Sequence, residues 1–204
     1  MCRLEEGSPG PDYSAVTLET EDLLLKKAQL SDWRDIYENL WRHPESARYM
    51  LWKTTASEAE AVARMERTID YQKDHEYALF IYEKSTGRAI GFAGMVEEAP
   101  GVYEETGIAL GPDYVGRGYG TQVLNALVEE AGARGAEKFI AACRARNTAS
   151  RRLQEKCGFV FSHRENRIDS RNQEPYVLEF REKQLHTAVC AAGVTKQPLS
   201  QSRI

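Results

Sequence analysis

The chain has 204 residues, of which 42% are hydrophobic and 28% charged, enough apolar material for one buried core and too much for wholesale disorder. A formal charge of -4 argues against broad adhesion to nucleic-acid phosphates or anionic lipid, and no apolar run approaches the roughly 18 residues of a membrane span or the pattern of a cleaved signal. Cys2, Cys143, Cys157 and Cys190 are far apart with no C-x-x-C pair, so neither a zinc site nor a disulfide framework is expected, and reduced cysteines in a cytoplasmic protein are.

Residues 1–16 combine Gly, Pro and acidic side chains without an apolar period and read as a flexible extension. The first strand is expected over residues 23–28. Trp33, Ile36, Tyr37, Leu40 and Trp41 then recur at helical spacing behind a Ser31 or Asp32 cap, and His43 and Pro44 end that helix. A second helix is expected over residues 57–72, with Thr55 and Glu58 as a capping box and Val62, Met65 and Ile69 as its apolar stripe. Residues 77–82 and 89–96 are aromatic and β-branched, and the turn chemistry of residues 84–87 joins them as a hairpin. A third strand, residues 103–110, leads through Gly111 and Pro112 into a glycine-rich turn that opens a helix over residues 118–133. Beyond it come a short strand (139–143), a helix (148–157) stopped by Gly158, and a strand pair (159–164 and 176–181) around a polar loop. From Lys183 the periodicity fades, apart from a weakly apolar stretch at 188–192, so residues 17–182 form one domain and 183–204 a flexible tail.

The turn Val115-Gly116-Arg117-Gly118-Tyr119-Gly120-Thr121 joins a strand to an amphipathic helix bearing Val123, Leu124, Leu127 and Val128. Backbone without side chains can approach a bulky anion closely, and free N–H groups at a helix start, aided by the helix dipole, bind phosphate or pyrophosphate. Arg117 offers a further charge. The segment has no Lys followed by Ser or Thr, which excludes a nucleotide P-loop, and Thr121 stands where a dinucleotide fingerprint needs its third glycine. The spacing alone leaves a turn built only for its geometry as the alternative.

Residues 115–120 resemble the pyrophosphate loop of the GCN5-related N-acetyltransferase (GNAT) superfamily, [QR]-x-x-G-x-[GA], with Val115 departing from the Gln/Arg position. Downstream, Asn147, Ser150, Lys156, Gly158 and Phe159 are similar to that family's N-x-x-S-x-x-x-x-x-K-x-G-F element. Upstream, Thr17 to Lys26 followed by a Trp-rich helix resembles the RimJ/RimL-like branch, which includes acetyltransferases of ribosomal-protein amino termini. The resemblance implies an α+β GNAT fold, a mixed and mostly antiparallel sheet flanked by helices. It also implies transfer of an acetyl group from acetyl-CoA to a primary amine without a metal.

By the same resemblance, acetyl-CoA meets the backbone of Ile108, Ala109 and Leu110, where a strand splays from its neighbour, and the loop Val115, Gly116, Arg117, Gly118, Tyr119, Gly120 and Thr121. Glu105 aligns with an acidic strand position close to the acyl end and is the candidate base; Glu104 faces the other way in a regular strand. Gln154 stands at the position of the family's thiolate-protonating tyrosine. Ser150 is a candidate partner of the CoA sulfur, and Asn147 a cofactor contact or a helix cap. Cys143 and Cys157 read as core residues.

The acceptor is open between a protein amino terminus and a small-molecule amine, with a primary α-amine favoured because it needs less deprotonation than a lysine side chain. Trp41, Tyr49 and Trp52, with Arg48 nearby, are candidate acceptor contacts. A noncatalytic acyl-CoA-binding or regulatory module is the alternative, and the expected assembly is a monomer or homodimer.

Overall fold

The computed structural model describes residues 12–185; the expectations for residues 1–11 and 188–192 lie outside them. Eight strands form one sheet: β1 (Thr17–Glu19), β2 (Leu23–Lys26), β3 (Tyr77–Glu83), β4 (Ala89–Ala99), β5 (Val102–Leu110), β6 (Lys138–Arg144), β7 (Val160–Ile168) and β8 (Pro175–Gln184). Their order is β1-β2-β3-β4-β5-β6-β8-β7. Every neighbouring pair is antiparallel except β5 and β6, which are joined by a helical crossover. This is the mixed α+β sheet that the resemblance implies.

The helices are α1 (Trp33–Ile36), α2 (Pro44–Ala47), α3 (Glu58–Asp74), α4 (Tyr119–Ala133) and α5 (Thr148–Lys156). Because successive strand side chains point to opposite faces, β3 feeds two cores. Leu79 and Ile81 pack with Val123, Leu124 and Leu127 of α4, while Phe80 and Tyr82 pack with Ile36, Leu40 and Trp41, and with Ala61 and Met65 of α3. The sheet is thus covered on both faces.

Four local expectations change. Thr17–Glu19 is a strand, because it pairs with β2 from Thr17↔Lys26 to Glu19↔Leu24. The Trp-rich helix is a 3-10 turn, Leu30–Asp32, followed by α1 and a π-type turn, Tyr37–Trp41, and its N-cap is Gln29, whose N–H donates to Asp32 at 2.7 Å. Ser57, not Thr55, caps α3: its hydroxyl accepts from the Glu60 N–H, and the Glu60 carboxylate accepts from the Ala56 N–H at 2.7 Å. The acid that reaches back over the helix start is therefore Glu60 rather than Glu58, and it meets the residue before the cap. Finally, β7 runs to Ile168 and β8 to Gln184, beyond the expected boundary at 182, because β8 pairs along the whole of β6 up to Lys138↔Gln184.

The position of the site is set by β5. Its register with β4 passes from Gly94↔Gly107 to Met95↔Glu105, so Thr106 is an unpaired bulge residue, and Gly107 takes φ +135°. A bulge bends a strand and increases its twist. Beside it, β6 pairs with β5 only from Val102↔Lys138 to Glu104↔Ile140. From Glu105 onward the two parallel strands part, leaving one edge of β5 without a strand partner.

Candidate active site

The wedge between β5 and β6 opens into a cleft of about 610 Å³. One wall is β5 from Glu105 and Gly107 to Leu110, the other Ala142–Arg144 and the start of α5, and the glycine turn before α4 closes one end. The half-buried side chains of Ile108 and Leu110 pack on the α4 core while Ala109 joins the core on the opposite face, and all three residues line the cleft along the unpaired edge of β5.

Gly116 and Gly118 have φ +81° and +85°, a region that L side chains enter only with strain, and Gly118 is the N-cap of α4. Among the described residues the N–H groups of Gly116, Arg117, Gly118, Tyr119 and Gly120 have no protein acceptor. Unpaired N–H groups at the positive end of a 15-residue helix form a cradle suited to a pyrophosphate. Gly120 has a separate reason to be small: a Cβ there would lie 3.2 Å from Leu153 Cδ2, where α4 meets α5.

Arg117 and Tyr119 do not send side chains into the cleft. Both meet buried Glu83, Tyr119 through its hydroxyl at 2.8 Å and Arg117 through Nη1 at 3.4 Å. Glu83 is only 6% exposed, so these donors supply the partners that a buried carboxylate requires. Their possible contribution to the loop is therefore backbone N–H. The cleft cations are instead Arg144, Arg152 and Lys156. The last two lie one turn apart on α5, and their i, i+4 spacing was a readable but unused signal.

At the other end, Glu105 lines the cleft while Glu104 does not. Burial pushes the Glu105 carboxyl up to about 7, helped by the Glu104 charge and opposed by the Gly107 and Ile108 N–H groups. Facing it, Asn147 Oδ1 accepts from the Ser150 N–H at 3.2 Å and caps α5. Ser150 Oγ accepts from Gln154 Nε2 at 3.3 Å, and Gln154 Oε1 accepts from the Cys143 thiol at 3.8 Å. Gln154 is 1% exposed, so the residue at the family's tyrosine position holds Ser150 rather than facing the cleft. Cys143 and Cys157 are free and buried, with burial raising both thiols.

The expected acceptor aromatics divide between two places, Tyr49 on the cleft and Trp41 and Trp52 together on Arg64. Trp41 is 1% exposed in the core, Tyr49 lines the cleft and donates to the Arg146 carbonyl at 3.2 Å, and Trp52 lies against α3. Arg48 is exposed and stacks on Tyr49. Among the described residues no group of His, Cys, Asp and Glu is arranged to hold a metal, and no helix is long and apolar enough to cross a membrane.

The sequence matches the family described as Acetyltransferase (GNAT) domain over residues 22–160. The chain belongs to the GNAT acetyltransferase family. As a member of it, the protein is an acetyl-CoA-dependent N-acetyltransferase. Its fold is similar to that of a putative ribosomal-protein-serine acetyltransferase from Vibrio cholerae, with TM-score 0.71, 18% identity, and coverage of 84% of this chain and 98% of that one. It is also similar to RimL, a ribosomal L7/L12 alpha-N-protein acetyltransferase solved with coenzyme A, with TM-score 0.70, 18% identity and coverage of 84% and 99%. The microcin C7 self-immunity acetyltransferase MccE, solved with acetyl-CoA and AMP, aligns with TM-score 0.70, 21% identity and coverage of 81% and 94%. No curated protein matches the sequence. At these identities the structural likeness is one of fold, and the GNAT family membership rests on the sequence match.

Proposed function

We propose that this GNAT protein transfers the acetyl group of acetyl-CoA directly to a primary amine in a ternary complex, with Glu105 managing the amine proton. The observation that carries the reading is the union, in one cleft, of the unpaired N–H cradle at Gly116 to Gly120, the free edge of β5 and the carboxyl of Glu105. The residues fit acetyl-CoA: the cradle suits its pyrophosphate, Arg152 and Lys156 its remaining charge, and the backbone of residues 108–110 its pantetheine arm. When bound, it supplies an activated acyl carbon.

The amine nitrogen forms the new C–N bond as the C–S bond breaks, and the nitrogen must lose one proton while the thiolate gains one. Glu105 accepts the first, directly or through a water, and its raised pKa suits a base working near neutral pH. Ser150 Oγ, already accepting from Gln154, can turn its own proton to hydrogen-bond the departing sulfur. An α-amino group, with a pKa of about 7.7 to 8.0, carries an appreciable neutral fraction at the pH where Glu105 is ionised. A protein amino terminus or a small α-amine is accordingly the acceptor we favour, in a cytoplasmic setting.

Incubation with acetyl-CoA and a panel of peptides, amino acids, polyamines and amino sugars, followed by CoA release and product mass spectrometry, tests this. Acetylation on α-amino nitrogen is expected. Tight acetyl-CoA binding with no product from any amine would replace the transferase by a binding module, and products confined to lysine side chains or amino sugars would overturn the acceptor class.

A further inference from the structure

A second cavity, of about 220 Å³, lies between α3 and strands β3, β4 and β5. Gly107 lines both this cavity and the cofactor cleft, so the two meet at a residue without a side chain. Farther out, a shallower pocket of about 380 Å³ shares Arg64, Thr68 and Tyr71 with the cavity and reaches Lys53 and Arg67. From the acyl end outward the neighbouring cavities thus share Gly107, flanked by Met50 and Phe92, and then Arg64, Thr68 and Tyr71.

Arg64 dominates that path. Its guanidinium lies 4.4 Å from the Trp41 ring centroid and 4.7 Å from that of Trp52. Nη1 donates to the Lys53 carbonyl at 3.2 Å and to Thr55 Oγ1 at 3.0 Å. Both acceptors are neutral, and among the described residues no carboxylate forms an ion pair with Arg64. Glu60 is the one acid lining the two pockets, and its carboxylate is engaged by the Ala56 N–H. Burial, and Arg67 nearby, bring the Arg64 pKa down to about 10, against the weaker pull of Glu60. Trp41 Nε1 and Trp52 Nε1 are buried with no acceptor. Guanidinium and indole nitrogens can only donate, so around Arg64 donors outnumber anionic acceptors, Glu60 being the one carboxylate.

We propose that these joined pockets are the acceptor subsite and that Arg64 binds a carboxylate carried by the acceptor amine. The inference rests on the acetyl-transfer reading for which end of the ligand reacts. The acceptor enters with its amine toward Gly107 and Glu105, its body against the aromatic wall and its carboxylate on Arg64. The flat, delocalised guanidinium stacked on tryptophan is suited to this task, since it is held without neutralisation. Arg48, exposed and stacked on Tyr49, does not line either pocket. The carboxylate can be that of a free amino acid or the acidic side chain of a peptide whose amino terminus reacts.

Two matched acceptor pairs test the assignment on the wild type, Arg64→Gln and Arg64→Lys: phenylalanine against phenylalaninamide, and the peptide amides Ser-Asp-Phe against Ser-Asn-Phe. The wild type should favour the carboxylate member of at least one pair by about tenfold or more in kcat/KM, the size of one charge-assisted hydrogen bond. Which pair responds identifies the source of the carboxylate. Arg64→Gln should bring that ratio to near unity with acetyl-CoA affinity retained, and Arg64→Lys should keep part of it. A wild type indifferent to charge in both pairs, or an Arg64→Gln variant that keeps the ratio, overturns the proposal. Calorimetry of the same four ligands on the acetyl-CoA-loaded protein separates the two readings. Carboxylate-selective binding that needs Arg64, without turnover, sustains the subsite and sinks the transferase, whereas turnover without selectivity does the reverse.

Discussion

Glu105→Gln removes the ionisable proton acceptor and keeps the shape of the side chain. With the carboxyl at about 7, roughly a tenth of Glu105 is ionised at pH 6 and roughly nine-tenths at pH 8. The wild-type to variant ratio of kcat/KM should therefore rise about tenfold over that interval, and expressing the result as a ratio cancels the titration of the acceptor amine. On the plateau the loss should be about 100-fold or more, the lower end for a general base. The same shift carries a stability signature. The folded carboxyl sits above its ordinary 4.5, so the folded state holds more protons than the unfolded one between 4.5 and 7. Wild-type stability therefore falls as pH rises through that window and is level above it. A rise from 4.5 to about 7 corresponds to an upper bound of about 3 kcal/mol, which Glu105→Gln should recover above pH 7 and not below pH 4.5. Denaturant melts at pH 5 and pH 8, beside initial rates from pH 6 to 8, read both effects. A constant activity ratio together with equal stability gains at the two pH values would remove Glu105 from the chemistry.

Gly118→Val places a β-branched residue at φ +85° and should weaken acetyl-CoA binding at least about tenfold while lowering stability by about 1–2 kcal/mol, as calorimetry and melts would show; native affinity would dismiss the cradle. Arg152→Gln and Lys156→Gln should each raise the acetyl-CoA Kd several-fold and flatten its salt dependence, because both cations line the cleft; an unchanged salt slope in the double variant counts against phosphate contact. Ser150→Ala leaves the Asn147 cap on the backbone N–H in place and should lower kcat more than it raises the acetyl-CoA Kd, and wild-type kcat would leave Ser150 a structural residue. Asn147→Ala removes that cap and should cost about 1 kcal/mol of stability by thermal or chemical melting; no loss would mean that the cap is satisfied in another way.

The glycine turn was legible because its requirements are local. Gly116 and Gly118 occupy left-handed φ, a backbone demand that few other residues meet, and the apolar period of Val123, Leu124, Leu127 and Val128 marks the helix that follows. The same holds for the hairpin at residues 84–87 and for the halt at Gly158, with φ +83°. These features depend on a few neighbouring residues, so sequence spacing carries them.

What sequence left undecided depends on partners far along the chain. Thr17–Glu19 is a strand because β2 lies beside it, and Arg117 leaves the phosphate cradle because Glu83, buried on another strand, needs a donor. The displaced cap of α3 was a local choice between Thr55 and Ser57 that tertiary contact resolved: Thr55 is buried and takes the Arg64 side chain. Above all, the parting of β5 from β6 after Glu104 accompanies the Thr106 bulge in β5, while β6 keeps its pairing with β8 on the opposite edge. That separation opens the cleft that Glu105 and Ser150 both line, two residues whose shared environment is a property of the packed sheet. Local spacing sets the helix, the turn and the backbone donors. Which side chains share a cavity, and which carboxylate is desolvated, follows from packing, because burial and long-range pairing are sums over the whole fold.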